Sequence, residues 1–348
     1  MRLLTNTRLQ GLFLVLATAL GVSIGFSGSE TAVSIFGEFV LPLFFVGVGM
    51  ELRSEFESGY FVVRSNITAP LLAAVFGVVA PALIYIAVVN DGSAGWAVPT
   101  ATDLPFGLAA LTLAALKVRS RIRPRFLAVA TFDDVIGLVI LAVVFSSKLQ
   151  PFFAFAGLAA LATYWVIQRF ASKLWFVALP LACLAIYSTA LSGIQTSLVG
   201  VLIGLAYANS SHRHRLEVLN GWLVVPVFAF LVGASVQPAL SGGLNALILF
   251  AILARPAGKI IGISLGGALG DLLQKGRTDA KSWLLVGVLG GIGFTVSLLI
   301  ANLAYQDSSV DRNSAIIGTI LASAISIVLF YVFVKFKALR AHPGEKSL

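Results

Sequence analysis

Charged residues are scarce in this sequence, and their scarcity limits what the chain can be. Only 11% of the 348 residues are charged, 58% are hydrophobic, and the mean hydropathy is +0.97. Soluble domains carry about 25% charged residues. The composition therefore excludes an ordinary soluble protein and indicates a polytopic membrane protein. No polar stretch is long enough for a separate soluble domain, so we expect a single integral membrane domain over residues 1–348.

Cysteine is scarcer still. The only one, Cys183, lies in an apolar run, so the chain cannot form an internal disulfide. A lone thiol in such a run is more often a small core residue than a reactive group. We assign it no role.

Long apolar runs separated by polar breaks predict an all-α fold of about 12 transmembrane helices. The predicted segments run near 9–26, 33–50, 66–89, 95–116, 125–146, 151–167, 174–191, 194–208, 219–238, 244–270, 282–304 and 314–335.

Basic residues predict the orientation of these segments. If the amino terminus is cytoplasmic, twenty of the 24 Lys and Arg residues lie in inner loops and tails, as the positive-inside rule requires, and both termini are cytoplasmic. The net charge of +9 then needs no nucleic acid. The basic string at 117–125 joins two membrane helices on the inner side, so we expect the lipid bilayer to be its partner. Trp283, like the other four tryptophans, lies near a predicted segment end, where an interfacial belt is expected.

Five charged side chains do not follow this sorting, because they lie within apolar segments. Asp103 and Asp133 are each about nine residues inside a segment, roughly 13 Å deep and close to the midplane. Asp134 adjoins Asp133, and Lys259 and Arg255 lie one turn apart in the tenth segment. Charged residues in membrane helices usually mark ion pathways. The alternative is a set of structural ion pairs that tie helices together.

The adjacent pair Asp133 and Asp134 is the centre of this group. On a helix the two side chains project about 100° apart, so both can face one cavity without sharing every neighbour. Two like charges in a poor solvent favour retention of a proton by one of them. The pair therefore predicts a site that holds a proton or a cation.

Two segments carry features that interrupt a helix. In the fourth, Pro105 removes the hydrogen bond to the Ala101 carbonyl, and Gly107 loosens the next turn. We expect the freed Ala101 carbonyl to face a cavity. The eleventh has four glycines within 287–293. These segments run in opposite directions and form the middle helices of two possible inverted units, segments 3–5 and 10–12. Discontinuous helices in such positions indicate a transporter's binding site.

Several stretches together resemble one family, the NhaA sodium/proton antiporters, and they span nearly the whole chain in the family's order. They are ATDLPFG at 101–107, TFDDVIGLVI at 131–140, GKIIGIS at 258–264, GGIGFTVSLLIA at 290–301, VGMELRSE at 48–55, SGIQTSLVGVLIGL at 192–205 and LEVLNGW at 216–222.

The resemblance implies a role for each charged residue at the midplane except Arg255, which has no clear counterpart in the family pattern. It implies that Asp134 is the main cation ligand and proton carrier and that Asp133 is its partner, paired with Lys259 in the absence of sodium. Thr102 and Asp103 would belong to the crossing of the two broken helices. We group Arg255 with them as supporting charge.

The resemblance also implies a transporter rather than an enzyme, in the bacterial cytoplasmic membrane, with Na⁺ or Li⁺ and H⁺ as transported ions and no cofactor. Glu51 and Glu217 would belong to a cytoplasmic funnel and the pH response. The chain departs from the family at Pro105, usually a small residue, and at Gln195, often histidine. A homodimer is possible, but SGSETA at 27–32 is too short for the hairpin that often joins two protomers.

Two other classes remain open from the residues. A sodium-coupled symporter of a small organic anion would use Arg255 and Lys259 as anion anchors. A passive cation channel would need a continuous polar pore lining, and segments this apolar offer little of it.

Overall fold

The computed structural model of the chain describes residues 7–25, 30–57, 65–89, 94–113, 116–146, 150–171, 174–208, 210–234, 236–240, 242–274 and 278–340. Within these ranges the chain is helical and contains no β-strand. The connection at 26–29, which bears on the dimerisation hairpin, lies outside the described residues.

Among the described residues, the first half of the chain has nine α-helices and one 3₁₀ helix. They are α1 (Thr7–Ile24), α2 (Glu30–Glu57), α3 (Ser65–Val89), the 3₁₀ helix Ala94–Thr100, α4 (Leu104–Leu113), α5 (Leu116–Val144), α6 (Pro151–Phe170), α7 (Trp175–Ser192), α8 (Thr196–Ala206) and α9 (Ser210–Leu219).

The second half begins with a π-helical turn, Asn220–Val224. It is followed by α10 (Val225–Ala234), α11 (Val236–Leu240), α12 (Ala246–Leu253), α13 (Arg255–Leu273), α14 (Ala280–Gly290), α15 (Thr295–Ala304) and α16 (Ser309–Arg340).

Six helical stretches of the described chain are long and apolar enough to cross a bilayer. The pair α14 and α15, bent by 53°, makes a seventh if it is one span, and three further apolar helices are shorter. The chain is thus a multi-pass α-helical membrane protein. The count of 12 crossings remains a prediction.

The break expected in the fourth segment is confirmed. The 3₁₀ helix ends at Thr100, residues 101–103 are not helical, and α4 begins at Leu104. Pro105 is the second residue of α4, where the missing N–H has no helical partner to lose. The predicted fifth segment, 125–146, agrees to within three residues with the candidate span Ile122–Val144, but α5 itself begins earlier, at Leu116. Lys and Arg are good helix formers, so the basic string extends the helix instead of forming a loop.

The chain divides into two compact units. One comprises residues 1–63 and 137–238, and the other residues 64–136 and 239–348. In the second unit α13 packs against α3 through a stripe of glycines. A Cβ on Gly258, Gly262, Gly266 or Gly270 would lie within 3 Å of the α3 backbone. Because small residues let two helices approach closely, this stripe brings α13, which carries Lys259, against the backbone of α3.

Candidate functional site

The two broken segments of the second unit are hydrogen-bonded to each other. The Asp103 backbone N–H donates to the Ile292 carbonyl at 2.8 Å, and the Thr102 hydroxyl donates to the Gly290 carbonyl at 2.9 Å. Thr102 and Asp103 are both buried. These contacts join the non-helical residues 101–103 to the stretch at 290–293, as the sequence predicted for the crossing.

Asp103 caps two half-helices at once. Its Oδ2 accepts hydrogen bonds from the Thr295 backbone N–H at 2.9 Å and the Thr295 hydroxyl at 2.6 Å, and its Oδ1 accepts one from the Phe106 N–H at 3.3 Å. Thr295 is the first residue of α15 and Phe106 the third of α4. The carboxylate therefore faces the N-terminal ends of both helices, where free amides and the helix dipole stabilise negative charge.

Arg255 serves the opposite ends of the same broken segments. Its Nη2 donates to the Ala101 carbonyl and its Nη1 to the Gly293 carbonyl at 3.2 Å, and the side chain is fully buried. The expectation that the Ala101 carbonyl faces a cavity was therefore wrong, since a guanidinium fills that position. A Cβ on Gly293 would lie 1.4 Å from the same Nη2, so Arg255 requires glycine there. Positive charge at helix C-terminal ends is favourable.

Lys259 and Asp133 form a buried ion pair. Lys259 Nζ lies 3.0 Å from both Oδ1 and Oδ2 of Asp133, and the side chains are 0% and 2% exposed. The pair links α13 to α5 and matches the pairing that the family resemblance implies. Burying two charges is costly unless the geometry is good, and a bidentate contact to an ammonium meets that condition.

Asp134 follows Asp133 on α5 and is partly exposed, whereas Asp133 is buried. It lies close enough to Lys259 for electrostatic attraction between the two charges. The cluster thus contains three acidic and two basic side chains, all in the second unit. Asp134 is the member of the adjacent pair that is more accessible from outside the protein.

The funnel residues implied by the resemblance belong to the first unit. Glu217 lies 3.7 Å from Arg213 Nε and 3.8 Å from His214 Nδ1, and Arg213 also donates to Glu57. Hydrogen bonds from Arg213 and Arg53 lower the pKa of the Glu57 carboxyl.

Glu51 is exposed on α2. Glu57, which is in the basic cluster around Arg213, was not singled out from the sequence. It lies in a charged helix end that gives no local signal of its partners.

Thr295 and Ser323 were also missed. Thr295 supplies two donors to Asp103, while the Ser323 hydroxyl donates to the Gly293 carbonyl at 2.6 Å and accepts from the Gly293 N–H at 3.1 Å. Thr295 lies two residues after the last glycine of the break, close to where a capping residue is favoured, and this could have signalled it. Ser323 lies in an apolar helix and gives no such signal.

The chain is similar to known sodium/proton antiporters over almost its whole length. The family model for Na⁺/H⁺ antiporter 1 matches residues 3–334. The Na⁺/H⁺ antiporter NhaA 2 of Clavibacter michiganensis is 34% identical over 321 residues, which cover 87% of this chain and 78% of that protein. The NhaA antiporter of Tropheryma whipplei is 31% identical over 344 residues, covering 92% and 87%.

A solved structure agrees with these sequence matches at the level of fold. The sodium/proton antiporter MjNhaP1 from Methanocaldococcus jannaschii has a TM-score of 0.53 and 17% identity, and the match covers 95% of this chain and 100% of that one. The family model and the two sequence relatives carry the assignment. The chain therefore belongs to the Na⁺/H⁺ antiporter 1 family.

Proposed function

We propose that this protein exchanges Na⁺, or the similarly small Li⁺, for H⁺ across the bacterial cytoplasmic membrane by alternating access. The observation that carries the proposal is the buried pair of Lys259 and Asp133 beside the more exposed Asp134. Membership in an antiporter family supports sodium/proton exchange as the overall reaction. The remaining steps are argued from the charges of the site.

Cation and protons compete for the two aspartates. Sodium is a hard cation that prefers oxygen ligands, and the carboxylate of Asp134 is the accessible one. When Na⁺ binds, Asp133 turns from the Lys259 ammonium to the cation, because one carboxylate cannot neutralise two cations equally. Protonation of the aspartates from the other side then displaces Na⁺.

The crossing of the two broken segments keeps the charged side chains of the site in position during this exchange. Asp103 neutralises the amide ends of α4 and α15, and Arg255 donates to the Ala101 and Gly293 carbonyls in the two breaks. We group Thr102 with them, since its hydroxyl joins the two breaks. Two breaks that meet in this way support inverted repeats of segments 3–5 and 10–12. The twelve crossings and the cytoplasmic location of both termini are proposed from the apolar segments and the basic residues.

Other parts of the proposal depend on the family alone. Glu51 and Glu217 belong to the cytoplasmic funnel and contribute to the pH response. A homodimer remains possible. Na⁺ and H⁺ are substrates, and no cofactor is proposed.

The anion symporter is the second candidate, and the contacts of the two bases weigh against it. Both Nη atoms of Arg255 donate to backbone carbonyls, and Lys259 Nζ contacts both oxygens of Asp133. An anchor for a substrate anion would have to break these buried bonds first. The antiporter requires only the Lys259 contact to open.

The test uses purified protein in liposomes that contain a pH-sensitive dye and no organic anion. A Na⁺ pulse should move protons in the opposite direction, and the half-saturating Na⁺ concentration should fall as pH rises, because fewer protons compete. Proton movement that requires an added organic anion would instead support the symporter. Proton movement without Na⁺ dependence would overturn both.

A further inference from the structure

The first turn of α14 is joined to two neighbouring helices by a group of four side chains at the end opposite the crossing. We name this group, Arg125, Asp271, Asp279 and Trp283, the α14 latch. It joins α14 to α5, which carries Asp133 and Asp134, and to α13, which carries Lys259. None of the four has a role in the exchange described above.

Trp283 is the centre of the latch. It is 1% exposed, and its Nε1 donates to Asp271 Oδ2 on α13 at 2.7 Å. A Cβ on Gly267 of α13 would lie 2.2 Å from the indole ring, so the ring rests directly on that helix. The expectation that Trp283 lies in an interfacial belt was therefore wrong. Indole placed at a membrane interface has one wet side, whereas this one is enclosed by protein.

Arg125 joins the same turn to α5. Its guanidinium carbon lies 5.0 Å from the Trp283 ring centroid, and its Nη1 lies 3.0 Å from Asp279 Oδ2. Asp279 is the N-cap of α14 and accepts hydrogen bonds from the Ser282 N–H, at 3.2 Å, and from the Ser282 hydroxyl. The ion pair is partly exposed and weak by itself, but the stacked guanidinium adds a cation–π contact.

The interface of α14 with α13 explains why such a latch is needed. A Cβ on Gly287 would lie 2.8 Å from Ile260 Cα, so beyond the latch, toward the crossing, α14 meets the α13 backbone through a glycine. Helices in contact through small residues pack closely but have few ridges that resist sliding. The 11 residues of α14 also give it little length over which to be held.

We propose that the α14 latch sets the axial position of α14 and thereby the affinity of the site for Na⁺. Trp283 precedes Gly290 by seven residues, about 10 Å along a rigid helix. The Gly290 carbonyl receives the Thr102 hydroxyl at the crossing. A slide of α14 therefore moves the crossing directly. The latch residues are positioning residues, and this inference rests on the proposed function.

Asp279 does not make the latch sensitive to pH near neutrality. Burial would raise the pKa of Asp279, but hydrogen bonds from Ser282 and the charge of Arg125 outweigh it and lower the pKa. A lowered pKa means that the contribution of the carboxylate is present above the ordinary range for Asp and is lost only as pH falls through the lowered value. Latch variants should therefore change Na⁺ affinity by the same factor on either side of neutral pH.

The experiment compares latch variants in liposomes by their half-saturating Na⁺ concentration and maximum rate of exchange. Trp283→Leu removes the ring and its donor, while Trp283→Phe keeps a ring under Arg125 and removes only the donor. Residues that orient a metal site from outside change its affinity by about 10- to 100-fold. We expect the half-saturating Na⁺ concentration to rise roughly tenfold for Trp283→Leu and by less for Trp283→Phe. The maximum rate should stay within about twofold of wild type by the same reasoning. Arg125→Lys should retain near-normal affinity.

Arg123→Ala is the matched control, since Arg123 is exposed on the same helix two residues from Arg125. A second comparison combines Trp283→Leu with Thr102→Val. If the latch acts through the crossing, the double variant should lose less affinity than the product of the single losses, because both damage one contact. If the affinity losses of the two single variants multiply fully in the double variant, the latch does not act through the crossing, and the proposal is overturned.

Two further outcomes decide the remaining cases. If Trp283→Leu does not fold, Trp283→Phe alone tests the proposal, and half-saturation equal to that of Arg123→Ala would overturn it. If a variant loses thermal stability in detergent but keeps its half-saturating Na⁺ concentration, the latch stabilises the fold without affecting the site. That result also overturns the proposal. Absence of sodium/proton exchange in the wild type would instead reject the proposed function.

Discussion

Replacing Asp103 with asparagine should slow sodium/proton exchange substantially without abolishing it. The change keeps the shape of the side chain but removes its charge. If the introduced amide points its Oδ1 at Thr295, the side chain keeps two acceptor contacts and turns its NH₂ group toward the Phe106 N–H. Two charge-assisted hydrogen bonds then become neutral ones, and the third is lost.

The magnitude follows from these contacts. A hydrogen bond to a charged group contributes about 1.5–3 kcal/mol and a neutral one about 0.5–1.5, so two weakened bonds cost roughly 2 kcal/mol and the long bond to Phe106 about 1 more. Removing a buried charge also removes its desolvation cost, which offsets part of this loss, on the order of 1 kcal/mol. If this net loss of about 2 kcal/mol destabilises only the transport-competent form of the crossing, it corresponds to a roughly 30-fold slower rate of exchange.

The assay is dye-reported proton flux in liposomes at saturating Na⁺, with equal amounts of correctly inserted protein. Thr295→Val is the matched variant, because it removes one donor to Asp103 and leaves the charge, so it should lose about fivefold, or near 1 kcal/mol. Wild-type rates in Asp103→Asn would refute the double cap. Complete loss equal to that of Asp134→Asn would refute the division of roles between the two aspartates.

Three more predictions concern the other charges of the site. Asp134→Asn should insert normally but show no sodium-driven proton flux, whereas Asp311→Asn, outside the site, should leave the flux unchanged; substantial exchange by purified Asp134→Asn would disprove the ligand assignment. Lys259→Ala should alter the pH dependence of Na⁺ affinity, measured by binding isotherms at several pH values, because the ammonium shifts the proton affinity of the aspartate pair; loss of organic anion uptake with unchanged isotherms would favour the symporter. Arg255→Met leaves the Ala101 carbonyl buried without this donor and should lower the free energy of unfolding by about 1–3 kcal/mol; thermal unfolding in detergent indistinguishable from wild type would show that the guanidinium contact contributes nothing.

The breaks in the helices were predictable because their causes are local. Pro105 cannot donate to Ala101 in any helix, whatever surrounds it. The glycines near 290 weaken helix propensity by themselves. Helix ends were less well predicted, since the basic residues before Arg125 favour helix as readily as loop.

The sequence by itself determined that this is an α-helical membrane protein with charges inside apolar segments and interruptions in two of them, since composition and local backbone chemistry decide these properties. The family resemblance implied the pairing of Asp133 with Lys259, but only the tertiary structure decided the contacts of Arg255 and Asp103. Arg255 and Ala101 are 154 residues apart in the chain, and Asp103 and Thr295 are 192 apart. The environment of Trp283 also depends on packing, because a position near a helix end is compatible with both a membrane interface and the protein core. Such contacts depend on how whole helices pack, and in an apolar bundle many packings satisfy the same local sequence.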